Sequence, residues 1–111
     1  MNEDYNLIEM IETQVLAFDK VSRFADASLT EKYTQAVLGR GAVPNPGIRI
    51  TEEDDAVTIN LELIVYYGTN IPQLCYDIQS KVKNNIEETA GIQIKAINIE
   101  IEGVDPEVND K

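Results

Sequence analysis

An α+β fold of two layers is predicted for this chain: a small mixed sheet of about three strands, a hairpin plus a parallel crossover pair, with helices packed on one face. Three patterns predict it. Val57, Ile59, Leu61, Leu63 and Val65 alternate with Thr58, Asn60, Glu62, Ile64 and Tyr66, the period of a half-buried strand. Ile71, Leu74, Cys75, Ile78, Val82, Ile86 and Ala90 then recur at three and four residues, the period of an amphipathic helix. The isoleucine-rich run from Ile92 to Ile101 resumes a strand-like alternation. A strand, a helix and a second strand in succession imply a parallel pair joined by a right-handed crossover.

Taken in order, residues 5–25 place Ile8, Ile11, Val15, Phe18 and Ala25 at helical spacing, with Glu9, Glu12 and Asp19 off that stripe, and predict an amphipathic helix ending between Phe18 and Ala25. Ser28 and Glu31 fit a capping box, and Leu29, Tyr33 and Val37 follow at four-residue spacing, so a short helix is expected from Leu29 to Leu38. The run from Gly39 to Gly47, with three glycines and two prolines, reads as a linker. A phosphate cradle at Gly39-Arg40-Gly41 lacks both the Lys-Ser/Thr partner and a preceding strand. Ile48 and Ile50 alternate with Arg49 and Thr51, and Glu52 to Asp55 make a solvated turn into the long strand. A calcium loop would need carboxylates at alternate positions, a glycine and a distal bidentate glutamate, which this turn lacks.

After Tyr66 the chain must leave the strand and start a helix. Gly68 permits the turn, Asn70 can cap the helix, Pro72 sits in its first turn and Gln73 can complete a capping box. Gly91 stands where a left-handed residue closes a helix. In the last strand Ile92 and Ile94 are even-numbered, whereas Ile97, Ile99 and Ile101 are odd, so a bulge near Lys95-Ala96 is predicted to bring them to one side. Asn98, Glu100 and Glu102 then point outward. The expected organisation is one domain: residues 1–47 as an N-terminal helical segment and Gly/Pro linker, 48–104 as a β-β-α-β core, and 105–111 as a disordered acidic tail.

Composition narrows function by exclusion. With no histidine among its 111 residues, the chain lacks the commonest general base and metal ligand, and a Ser/His/Asp or Cys/His set cannot form. Cys75 is the single cysteine, so neither an internal disulfide nor a cysteine zinc cluster is available; it falls on the inward helix stripe, where a thiol acts as a small hydrophobe. The net charge of −11 is spread along the chain and repels nucleic acid and anionic lipid. No apolar run approaches the ~18 residues of a spanning helix. The acidic N-terminus differs from a secretory signal, so a cytoplasmic location is expected. The carboxylates fall in a turn, an outward sheet face and a tail, where water keeps them ionised, unlike a general acid in a desolvated pocket. No catalytic residue, cofactor or metal ligand is predicted.

The remaining candidate is the open sheet face. With both helices on one side, Ile64 and Tyr66 are left beside Glu62, Asn98 and Glu100, an apolar patch ringed by acid that would suit self-association or a protein partner. The alternative is that the N-terminal segment folds over it.

The run from Gly47 to Val104 resembles the alkaline-shock / general-stress protein family of mainly Gram-positive bacteria. The resemblance rests on Tyr67-Gly68 before Asn70-Ile71-Pro72, Gln79 and Lys81-Val82 in the helix, Thr89-Ala90-Gly91, and the strand from Asn98 to Gly103-Val104. Tyr67, Gly68, Asn70, Pro72 and Gly91 form its structural signature. It implies a non-enzymatic cytoplasmic α+β domain linked to envelope or alkaline stress, working through assemblies or a membrane-anchored partner. Other branches of the family imply a regulatory module of a metabolic enzyme such as one of fatty-acid synthesis. A third alternative is a small-molecule-binding domain using the space between sheet and helices.

Overall fold

The computed structural model describes residues 3–25 and 47–106. They form α1 (Glu3–Leu16), β1 (Val21–Phe24), β2 (Ile48–Glu53), β3 (Ala56–Tyr66), α2 (Ile71–Ala90) and β4 (Gln93–Asp105). The fold is α+β, as expected, with four strands rather than about three. The predicted helix at Leu29–Leu38 and the tail beyond residue 106 lie outside the described residues.

β3 is the centre of the sheet. Along one edge it pairs in parallel with β4 over its whole length, from Ala56↔Gln93 to Tyr66↔Asp105. Along the other edge it pairs antiparallel with β2, from Glu53↔Ala56 to Ile48↔Leu61, and then with β1, from Phe24↔Leu63 to Val21↔Val65. β1 and β2 thus run in one direction along the same edge and meet at Glu62. There the Ala25 amide donates to the Glu62 carbonyl at 2.8 Å, and the Glu62 amide donates to the Gly47 carbonyl at 2.9 Å. Together they act as one antiparallel strand, interrupted between residues 25 and 47.

β1 corrects the sequence reading of residues 5–25, which expected a helix ending between Phe18 and Ala25 and no strand. The helix stops at Leu16, and a turn carries the chain to Val21, with the Phe18 amide donating to the Val15 carbonyl and the Val21 amide to the Phe18 carbonyl, each at 3.1 Å. A register shift between Val21 and Arg23 puts Val21 and Phe24 on the same, buried face. An apolar spacing of three residues therefore arises from a bulge, and it imitates helical periodicity.

The odd-numbered residues of β3, together with Ile48, Ile94 and Ile97, form the core with Leu7, Ile11 and Val15 of α1 and Leu74, Ile78, Val82 and Ile86 of α2. Both helices therefore cover one face of the sheet. α2 is closed at both ends by its sequence. Asn70 Oδ1 accepts from the Gln73 amide at 3.2 Å, and Gly91 caps the C-terminus at φ 69°, its amide donating to Glu87 O. The predicted capping box is only half formed, because the Gln73 side-chain amide donates forward to Asp77 Oδ1 at 2.9 Å. Gly68 turns the chain out of β3 at φ 87°, and Thr69 Oγ1 donates to the Tyr66 carbonyl at 2.7 Å. Cys75 is half-buried on α2, and burial raises its thiol pKa, so it stays protonated.

Candidate functional site

Period-two alternation in β3 turns Thr58, Asn60, Glu62, Ile64 and Tyr66 away from the helices. β4 presents its own set beside them. The register skips Lys95, pairing Val57 with Ile94 and Thr58 with Ala96, which is the bulge the isoleucine phase predicted. From there Asn98 lies opposite Asn60 and Glu100 opposite Glu62. Asn98 Nδ2 donates to Asn60 Oδ1 across the pair at 3.0 Å. Glu62, Asn98 and Glu100, three of the five residues selected from sequence, thus share one site, a depression of about 180 Å³ also lined by Arg49, Asn60 and Leu61.

A second bulge adds a residue that sequence reasoning did not place in the site. Leu63 pairs with Ile101, but Ile64 pairs with Gly103, which leaves Glu102 as the inserted residue. Its carboxylate joins those of Glu62 and Glu100, with one oxygen from each lying within 4.8 Å of the others. Gly103 was the available signal, since glycine inside a strand often marks a bulge. The glycine also makes room, because a Cβ there would come within 3.1 Å of Ile64 Cδ1.

The cluster is only partly neutralised. Arg49 Nη1 lies 3.2 Å from Glu62 Oε2, and Arg49 reaches this face because it alternates with Ile48 and Ile50 in β2. Hydrogen bonding to Glu100, then desolvation, then the charges of Glu100 and Glu62 hold the Glu102 carboxyl above the ordinary glutamate range. Together the three carboxylates make this part of the sheet face an anionic surface.

The apolar part of the predicted patch is placed differently. Ile64 is only 9% exposed, and Tyr66 is half-buried. Around them a polar bridge spans β3. Ser22 Oγ donates to Asp105 Oδ2 at 2.5 Å, and Arg23 Nε lies 3.6 Å from the same oxygen, although β1 and β4 flank β3 on opposite sides. The exposed members of the five are Asn98 and Glu100. The signature residues Tyr67, Gly68, Asn70, Pro72 and Gly91 lie instead at the two ends of α2, where they shape its turns.

These features define a class: a two-layer α+β domain whose helices seal one sheet face and whose other face carries clustered carboxylates. The chain belongs to the alkaline-shock protein 23 family, a family of cell envelope-related function, whose model matches residues 7–106. It is similar to the uncharacterized protein YloU of Bacillus subtilis, 33% identical over 58 residues that make up 52% of this chain and 48% of that one. It is also similar to the uncharacterized protein Spy1535 of Streptococcus pyogenes, 32% identical over 76 residues, 68% of this chain and 55% of that one. A second Bacillus subtilis protein, YqhY, also uncharacterized, is 28% identical over 58 residues, 52% of this chain and 43% of that one. The chain spans about half the length of these relatives. No solved structure matches it. No helix among the described residues is long and apolar enough to cross a membrane.

Proposed function

We propose that this chain is a non-catalytic envelope-stress protein that acts by protein–protein contact, and that its contact surface is the open sheet face around Glu62, Asn98, Glu100 and Glu102. The observation that carries this reading is the gathering of three carboxylates within 4.8 Å on the sheet face the helices leave uncovered. Like charges held together cost stability, and a fold spends stability in this way where a partner of opposite charge relieves the repulsion. Family membership supplies the envelope-related setting. On this reading the protein works at the inner side of the membrane through a membrane-anchored partner.

Affinity capture from the membrane fraction of the source cells tests the reading. A Glu62→Gln/Glu100→Gln/Glu102→Gln variant should lose a partner that the wild type retains. A Glu52→Gln/Glu53→Gln/Asp54→Asn variant, with the same charge change at the β2–β3 turn, should keep it. Equal capture by all three would remove the open face as the contact surface.

One observation supports a second reading. A cavity of about 400 Å³ opens between sheet and helix where Leu7, Ile50, Val57 and Ile92 meet Glu52 and Asp55. A small amphipathic cation would suit it, and a thermal-shift screen against cationic metabolites tests this; a flat response removes it.

A further inference from the structure

We propose that the outer edge of β4, from Asn98 to Val104, accepts an extended segment of the partner as an added strand, one in which Lys or Arg alternates with aliphatic residues. The proposal rests on the contact reading above and specifies the chemistry of the partner.

The first observation is an edge closed over only half its length. Among the described residues β4 pairs with β3 and with no other strand. At its start, two α2 side chains occupy the outward backbone groups: Glu87 Oε2 accepts from the Ile94 amide at 3.0 Å, and Gln79 Nε2 donates to the Ile97 carbonyl at 2.8 Å. Backbone direction alternates along a strand, and the bulge at Lys95 keeps Ile94 and Ile97 in the same outward sense. Ile99 and Ile101 therefore also turn their N–H and C=O groups outward. The second bulge reverses the phase, so that Asp105 points inward and its carbonyl accepts from the Tyr67 amide at 2.8 Å. The rungs at Ile99 and Ile101 are the ones no α2 side chain closes, and open rungs of this kind template an incoming strand.

The second observation is the chemistry on the two sides of those rungs. On the helix side, Ile99 and Ile101 are half-buried, and Val104 is 53% and Tyr76 64% exposed. Tyr76 stands three residues before Gln79, so helical spacing puts it on the same flank of α2 as the Gln79 and Glu87 side chains that reach β4. On the open-face side stand the exposed carboxylates of Glu100 and Glu102. A strand laid here puts alternate side chains against these apolar and acidic rows, which selects an aliphatic–basic alternation. A second copy is a poor occupant, because antiparallel pairing of β4 with itself sets Glu100 and Glu102 against their own counterparts on a chain of net charge −11.

The test uses the full isotope-labelled chain and two lysine–valine peptides of equal composition, one alternating and one with the lysines and valines in separate blocks. The alternating peptide should slow amide exchange at Ile99 and Ile101 and shift the resonances of Tyr76 and Val104. Two surface variants, Tyr76→Lys/Val104→Lys and Glu100→Lys/Glu102→Lys, should each weaken it by roughly tenfold. All four positions are exposed, so both variants should keep the wild-type circular dichroism. Equal binding of the two peptides, shifts centred on the Glu52–Asp55 turn, or no binding at millimolar concentration would overturn the proposal. The captured membrane-fraction partner separates the two claims. Loss with Glu100→Lys/Glu102→Lys but retention with Tyr76→Lys/Val104→Lys overturns strand addition and leaves the open-face reading standing, whereas loss with both supports strand addition.

Discussion

Gly47→Ala should destabilise the protein by about 1–2 kcal/mol, although it replaces glycine by the smallest side chain that carries a Cβ. A Cβ at Gly47 would lie 2.9 Å from the Glu62 carbonyl oxygen and 2.9 Å from Phe24 Cβ. Neither atom can swing aside, since one is main chain and the other is fixed to it. Relief requires β1 or β2 to move off β3, which strains the bonds that join Ala25 and Gly47 to Glu62, each worth about 1 kcal/mol. Overpacking of this kind costs about 1–3 kcal/mol, and the reduced freedom of the unfolded chain returns about 0.4–1. Gly103→Ala is the control. Its nearest atom is the flexible tip of Ile64 at 3.1 Å, so the loss there should stay below about 1 kcal/mol. Urea denaturation followed by circular dichroism measures both. A Gly47→Ala midpoint equal to or above wild type would refute the meeting of β1 and β2 at Glu62.

Further consequences concern the face and the helix. Ile64→Ala should cost about 2–3 kcal/mol because the side chain is almost fully covered, whereas Tyr66→Ser, at a half-buried position, should cost less; urea denaturation reads both. Asn70→Ala removes the α2 cap and should cost about 1 kcal/mol by the same denaturation assay. The Glu102 side-chain carbon should titrate above the ordinary glutamate range by NMR, and Glu100→Gln should bring it down. Because its folded pKa is raised above the unfolded one, Glu102 lowers stability as pH rises through that range. Glu87 behaves oppositely. Its bonds from the Ile94 amide and from Lys83 depress its pKa, so its stabilisation is present above the unfolded pKa and is lost as pH falls through the folded one. A urea midpoint measured across the acid range should show that loss in wild type and not in Glu87→Gln.

The parts of the fold legible in sequence are those where one period runs without interruption. β3 alternates cleanly from Ala56 to Leu63, α2 keeps its apolar stripe from Leu74 to Ile86, and both were assigned from spacing alone. The isoleucine phase change also announced the bulge at Lys95, because the residues on each side of it had to reach the same core. β1 was missed for the complementary reason: a bulge inside a four-residue strand yields a spacing of three, and four residues are too few to separate the two periods. The second bulge had as cues only Gly103 and the even-numbered Val104, a single apolar residue near the strand end, so Glu102 was placed outward but not in the cluster. The meeting of Arg49 with Glu62 follows from alternation in β2. The bridge from Ser22 and Arg23 to Asp105 depends on β1 and was not readable.

A photo-crosslinking residue placed at Asn98, in cells, tests the central claim most directly. Asn98 is exposed on the open face opposite Asn60, beside the Glu62–Glu100 pair, while Glu88 is exposed on α2 and serves as the reference position. The account predicts a discrete adduct with a membrane-fraction protein from position 98 and none from position 88. Adducts from position 88 alone, or none from either, would contradict the open face as the surface through which this protein works.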